Sequence, residues 1–199
     1  VSVELFTHDL GLSWVVSEPM ARASHALVDG GRVWLVDPVD DPVALSATGA
    51  LGEPAAVLQL LDRHARDCAA IAERLAVPHL RVPAAVPDSP FEVVRVLDLP
   101  GWREVALWWP ARRGLVVPEV VGTGSAYTVD GGEAGIHPLL RLLPPGGLRA
   151  VSPEHLLVGH GPPLHGPHAA TALEHAYAHS RRGIPRLLAK LPRLVRAGR

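Results

Sequence analysis

The 199-residue sequence contains one cysteine, Cys68, and one lysine, Lys190. A single cysteine excludes an internal disulfide and every multi-cysteine zinc motif, and Cys68 reads as a buried, inert thiol that suits a reducing cytoplasm. No apolar run approaches the ~20 residues of a membrane-spanning helix, and no basic-apolar-small leader opens the chain, so neither a span nor a secretory signal is expected. Neither sign of charge is in excess. The formal net charge of -1 gives no global attraction to nucleic acid or to an anionic membrane. What is present is apolar: 48% hydrophobic and 20% charged residues can bury one sizeable core, so a single domain over residues 1–199 is expected. Arginine supplies nearly all the basic charge, which together with abundant Ala and Pro is the bias of a GC-rich bacterial genome.

The first forty residues alternate apolar runs with turns, over Ser2 to Phe6, Leu12 to Val16, Ala26 to Val28 and Val33 to Val36. Asp29-Gly30-Gly31 between two Val-rich runs predicts a hairpin, because glycine supplies the positive φ of a tight turn. Asp37-Pro38 ends the last strand of this meander, since proline donates nothing to a ladder. A strand over Ala55 to Leu60, a helix over Asp67 to Leu75 and a strand over Val77 to Val82 then form a β-α-β unit. Its middle loop, Leu61 to Arg66, lies where a strand's carboxyl end feeds a helix, the usual place for ligands in α/β folds. Further strands are expected at Phe91 to Leu97, Glu104 to Trp109 and Leu115 to Val117, and helices at His137 to Leu143 and His168 to Arg182. Two strand-rich halves with outer helices predict a four-layer αββα sandwich.

Four pieces in order carry a resemblance: the hairpin ending in Asp37, the loop Asp62 to Asp67, Leu99-Pro100-Gly101 before a strand, and Leu157-Val158-Gly159-His160-Gly161. Together they resemble the metallo-β-lactamase superfamily over most of the chain. That family's first loop reads His-x-His-x-Asp-His, and the resemblance implies two metal ions sharing one hydroxide. Laid on this pattern, Asp62 takes the first histidine's place, His64 keeps the second, Arg66 replaces the aspartate and Asp67 the third histidine. Trp102 stands where a histidine follows Pro-Gly, Glu119 is the nearest candidate for the bridging carboxylate, and His160 is retained.

Two of these substitutions oppose an ordinary two-metal centre. The Trp102 indole nitrogen only donates and cannot ligate a cation. Arg66 carries a permanent positive charge, and a guanidinium about 4 Å from a divalent ion would cost on the order of 8 kcal/mol at an effective dielectric of ~20. Two outcomes follow. In the first no metal binds, Arg66 pairs with Asp67 or Glu119, and the protein binds an unknown small molecule or protein partner. In the second one zinc, iron or manganese ion is held by Asp62, His64 and Glu119 or by Asp67, Glu119 and His160, and a bound water attacks an ester, lactone, thioester or phosphodiester.

Other motifs read as structural. His175 and His179 lie four apart on a predicted helix but lack the glutamate of a His-Glu-x-x-His protease. His155, His165 and His168 sit among Pro and Gly, as in a surface loop, and His8, His25, His79 and His137 have no partner by spacing. Gly122 to Ser125 is neither a nucleophile elbow nor a P-loop. Alternation sends Trp108 and Trp109 to opposite faces, one to a core and one to a pocket or interface. The basic amphipathic segment 184–199 packs on the sandwich or on a second subunit in the ordinary case, a homodimer contact being one option.

Overall fold

The computed structural model describes residues 2–186. The basic amphipathic segment 184–199 expected from the sequence therefore lies largely at residues 187–199, outside the described residues. The chain opens with an antiparallel meander, β1 (Val3–His8), β2 (Gly11–Val16), β3 (Ala23–Asp29) and β4 (Arg32–Val36), and the Asp-Gly-Gly turn joins β3 to β4 as predicted. Helix α1 (Pro42–Gly49), strand β5 (Glu53–Gln59), helix α2 (Cys68–Leu75) and strand β6 (His79–Arg81) follow, with β4, β5 and β6 parallel. These six strands form the first sheet in sequence order.

The second sheet starts with the hairpin β7 (Glu92–Leu99) and β8 (Trp102–Trp109), which continues into β9 (Gly114–Val117). After the short pair β10 (Val121–Gly122) and β11 (Gly135–Ile136), strand β12 (His155–Val158) lies parallel to β9 and β13 (Leu164–His165) closes the edge. Helix α3 (Pro167–Ala178) covers the outer face.

Residue alternation builds the layers. Trp34 and Val36 of β4 and Leu58 of β5 face the core between the sheets, while Val33, Leu35 and Val57 face Ile71 and Ala72 of α2. In the second sheet Val116 and Leu157 enter the inter-sheet core, and Leu115, Val117, Leu156 and Val158 meet Ala169, Leu173 and Ala176 of α3. Strands buried on both faces read as continuous apolar runs, which is why Leu115-Val116-Val117 and Leu156-Leu157-Val158 show no polar alternation. The arrangement is the αββα sandwich expected from the sequence. No helix among the described residues is long and apolar enough to cross a membrane.

Three local expectations are corrected. Helix α1 was not expected; Asp41 caps it by accepting from the Val43 and Ala44 N–H groups at 3.0 Å, with Pro42 in the first turn. His137 to Leu143 forms only a 3-10 turn over Pro138–Leu140, because Pro144 and Pro145 interrupt any longer helix. Trp109 packs edge-on against Phe91 at 5.3 Å in the inter-sheet core, while Trp108 packs on the α3 side, so the pair splits as alternation requires but both serve packing.

A buried carboxylate joins the sheet to the site. Glu104 of β8 is fully buried; its Oε1 accepts from the Glu119 and Val120 N–H groups at 3.1 and 2.9 Å, and its Oε2 from Trp102 Nε1 at 3.0 Å. Burial pushes its carboxyl up to about 7, against the downward pull of those donors. A raised carboxyl pKa contributes stability that is complete below the ordinary value of 4.5 and is lost as pH rises through about 7. Glu104→Gln sets an amide NH2 against one of the donors, so a loss of about 2 kcal/mol is expected at pH 5 by urea unfolding. The gap between the two proteins should narrow towards pH 8, where only the wild type carries the buried charge.

Candidate functional site

The site collects at the carboxyl ends of parallel strands from both sheets, where backbone groups leave the ladder and ligands commonly bind. Asp37 follows β4, His64 lies in the loop after β5, Glu119 follows β9 and His160 follows β12. Asp37 holds a left-handed φ of 43°, a conformation that aspartate tolerates better than most residues. Its Oδ1 accepts the Leu60 N–H at 3.0 Å, fixing the start of the loop, and its Oδ2 lies 3.3 Å from His64 Nδ1.

His64 and His160 share one orientation logic. His64 Nδ1 faces the Asp37 carboxylate, and His160 Nδ1 faces the Met20 carbonyl at 2.9 Å. Both partners only accept, so each Nδ1 is assigned the proton and each Nε2 is left to face inward. Those two Nε2 atoms meet the same oxygen, Glu119 Oε2, at 2.8 and 3.2 Å. In neutral imidazoles they would set lone pairs against a carboxylate, so the convergence requires a proton on each nitrogen or one cation among the three atoms. Ligand atoms of His64, Glu119 and His160 all lie within 4.8 Å of one another, and all three residues are buried.

His137 holds the other oxygen of Glu119, with Nε2 to Oε1 at 3.1 Å. Its backbone is set by Pro138: the residue before proline is driven to extended ψ, here 134°. The ring's Nδ1 accepts the Leu139 N–H at 3.3 Å, which leaves Nε2–H to donate to Glu119. Tyr127 adds its hydroxyl to Oε1 at 3.5 Å. Burial works to raise the Glu119 carboxyl, but the bonds from His137, His160 and His64 outweigh it and hold it well below the carboxylate range. For His64 burial and Arg66 act downwards, while Asp37 and Glu119 prevail and raise it above the ordinary imidazole value.

The other sequence candidates stand elsewhere. Arg66 does not pair with Asp67 or Glu119 as expected; its guanidinium donates to the carbonyls of Ala23, Asp37 (2.8 Å) and Gly159 (3.0 Å). The physical reason is local. Arg66 has a left-handed φ of 40°, and three strand-end carbonyls converge where a fork of N–H donors fits. Asp67 Oδ2 accepts the Asp40 N–H at 2.8 Å. Asp62 faces Arg103 Nε at 3.7 Å, with its Oδ1 buried and unpaired. Trp102 forms a wall: Arg63 lies 4.1 Å over its ring and His137 meets it edge-on at 4.9 Å.

Cys68 is buried, and burial with the nearby Asp37 charge pushes its thiol up to about 12, so it is inert. Thr123 and Gly124 brace the His160 loop, through Thr123 Oγ1 to the Pro162 carbonyl at 2.6 Å and Gly124 N–H to the His160 carbonyl at 3.0 Å. A cleft of about 460 Å³ opens over the three ligand residues, flanked by Arg22 and Arg63 and rimmed by the exposed Met20 and Leu139. His137, Tyr127 and the ring-fixing partners Asp37 and Met20 were not identified as site residues in the sequence; only the His137-Pro138 step carried a local signal.

No family model matches the sequence, and a search of curated proteins finds no match. Solved structures do match. The DIM-1 metallo-β-lactamase aligns with a TM-score of 0.57 at 12% identity, over 92% of this chain and 98% of that one. TTHA1623 in a di-iron-bound form aligns at 0.52 and 20% identity, over 81% and 96%. The chemotaxis sensor ODP, solved as a peroxy diiron species, aligns at 0.56 and 11% identity, over 89% and 94%. At such identities the likeness is one of fold, and it agrees with the layer order: the chain has the metallo-β-lactamase fold.

Proposed function

We propose that this protein is a single-metal member of its fold class, with one zinc, iron or manganese ion held by His64, Glu119 and His160. The reading rests on one observation: both histidines have Nδ1 tied to an acceptor and Nε2 aimed at the same Glu119 oxygen. Two imidazoles and a carboxylate suit all three metals, and outer partners such as Asp37 and the Met20 carbonyl orient such ligands. The residues do not fit two ions. Arg66 and Trp102 stand at ligand positions of the two-metal pattern, and the Asp62 and Asp67 carboxylates are turned away from the three converging ligands.

A bound ion would supply Lewis acidity and a water of lowered pKa. The chain's own residues would do the rest. Arg63 flanks the cleft and favours a substrate carrying negative charge, Arg22 beside it being paired with Glu18, while Met20 and Leu139 offer apolar contact. Tyr127 and His137 keep Glu119 oriented through Oε1, leaving Oε2 to the two histidines. The reaction class in keeping with this site is hydrolysis of an ester, lactone, thioester or phosphodiester.

A second reading, a metal-free ligand-binding protein, is favoured by the three imidazoles around Glu119, which can satisfy its carboxylate by hydrogen bonds alone. Elemental analysis of protein purified without chelator separates the two. About one equivalent of metal per chain that is lost in His64→Ala and His160→Ala is expected; no such equivalent after supplementation would sink the single-metal reading.

The pH dependence follows from His64. Its raised pKa contributes stability that is complete below the ordinary imidazole value and is lost as pH rises through the raised one. A metal requires the opposite, a deprotonated Nε2. Affinity should therefore rise roughly tenfold per pH unit for each proton displaced, from pH 6 until His64 is neutral. Titration calorimetry at several pH values, with proton release read from buffer dependence, checks this.

A further inference from the structure

A second group of histidines lies outside this site. His155 and His165 are directly opposite each other on the antiparallel pair β12 and β13, where facing side chains sit on one side of the sheet. Their Nδ1 atoms are 2.8 Å apart, so at most one of the two carries a proton and the other presents a lone pair to it. His8, at the end of β1, lies against His165 with ring centroids 4.9 Å apart. Its Nε2 bonds Ser13 Oγ at 2.9 Å, while its Nδ1 is buried without a hydrogen-bond partner among the described residues. Ser13 Oγ continues to His25 Nδ1 at 2.7 Å, and His25 Nε2 to the Val158 carbonyl at 3.1 Å, so the His8 ring is anchored from within.

We propose that His155 and His165 form a second transition-metal site, with His8 as a third ligand, for zinc, copper(II) or nickel(II). Two nitrogens each ~2.0–2.1 Å from one ion stand about 2.9 Å apart at a right angle and about 3.3 Å apart in a tetrahedron, close to the spacing of this pair. Imidazole nitrogens select these late divalent ions over magnesium or calcium. His8 offers a third nitrogen, Nδ1, and its ring must move to bring that nitrogen to the pair. His168, near in sequence, faces Glu133 at 3.5 Å instead and takes no part.

An ion here would staple three segments. β12 and β13 enclose the loop that carries His160, and β1 belongs to the other sheet. The site would thus tie the two sheets together at their edge and close the base of the hairpin whose tip serves the first site. Its role is structural, and its existence does not depend on the His64 site being metallated.

Copper(II) titration of the full chain, followed by calorimetry and by the nitrogen couplings in the EPR spectrum, tests the assignment. In the wild type an equivalent with at least two imidazole nitrogens is expected, accompanied by a raised Tm. His155→Ala and His165→Gln should each abolish it, and His8→Ala should weaken it by no less than the ~10–100-fold typical of a lost supporting partner. His64→Ala should leave it intact, which separates it from the first site. His175→Ala, on the adjacent-histidine helix face, should also leave it intact. Unchanged copper stoichiometry and affinity in both His155→Ala and His165→Gln would overturn the proposal, as would loss of the same equivalent in His175→Ala. If one of these variants fails to fold, the spectrum of the His64→Ala protein, in which the first site is disabled, decides: coupling to fewer than two nitrogens overturns the site.

Discussion

The guanidinium of Arg66 ties together the strand ends on which everything else in the site is mounted. Its donors reach carbonyls in β3, after β4 and after β12, so one side chain bridges both sheets at the point where His64 and His160 must meet. Carbonyls at strand ends have left their ladder and need donors, and a rigid five-donor fork supplies them in the correct directions. The left-handed backbone at Arg66 and at Asp37 is held in place by these bonds. A positive charge that would oppose a second metal is thereby directed at the scaffold carbonyls, while still acting on His64 beside the cleft.

Glu119 is the counterpart on the other side. Its backbone N–H is fixed by the buried Glu104, and its two oxygens are divided between His137 with Tyr127 and the pair His64 with His160. The division matters because one oxygen is used up by structural partners, whereas the other receives two nitrogens whose proton-bearing atoms already point away. A carboxylate among imidazoles is equally a proton trap and a metal site. The two states differ in which cation fills the gap, and pH and metal supply shift the balance between them.

Much of the fold was legible from local pattern. The Asp-Gly-Gly hairpin, the β-α-β unit and the doubly buried strands announced themselves because turn chemistry and residue alternation are short-range properties. Helix α1 was missed because an eight-residue helix opened by Asp41-Pro42 is too short to develop a periodic face. The helix expected over His137 to Leu143 failed for the converse reason, since an apolar, leucine-rich run outweighed the prolines in the reading but not in the backbone. Histidines 155 and 165 read as loop residues among Pro and Gly, yet β12 and β13 pair there, and pairing across a hairpin brings side chains together that nine intervening residues conceal.

By itself the sequence determined the layers, the strand-end position of the candidate loop, and the retention of His64 and His160 in a pattern that had otherwise changed. Tertiary structure alone decided what the changed residues do. Arg66 bonds carbonyls from segments 43 and 93 residues away, and His137 reaches Glu119 only because β10 and β11 pair between them. The reason is physical: backbone periodicity fixes which face a residue takes, but charge and hydrogen-bond pairing depend on distances that only the closed sandwich sets.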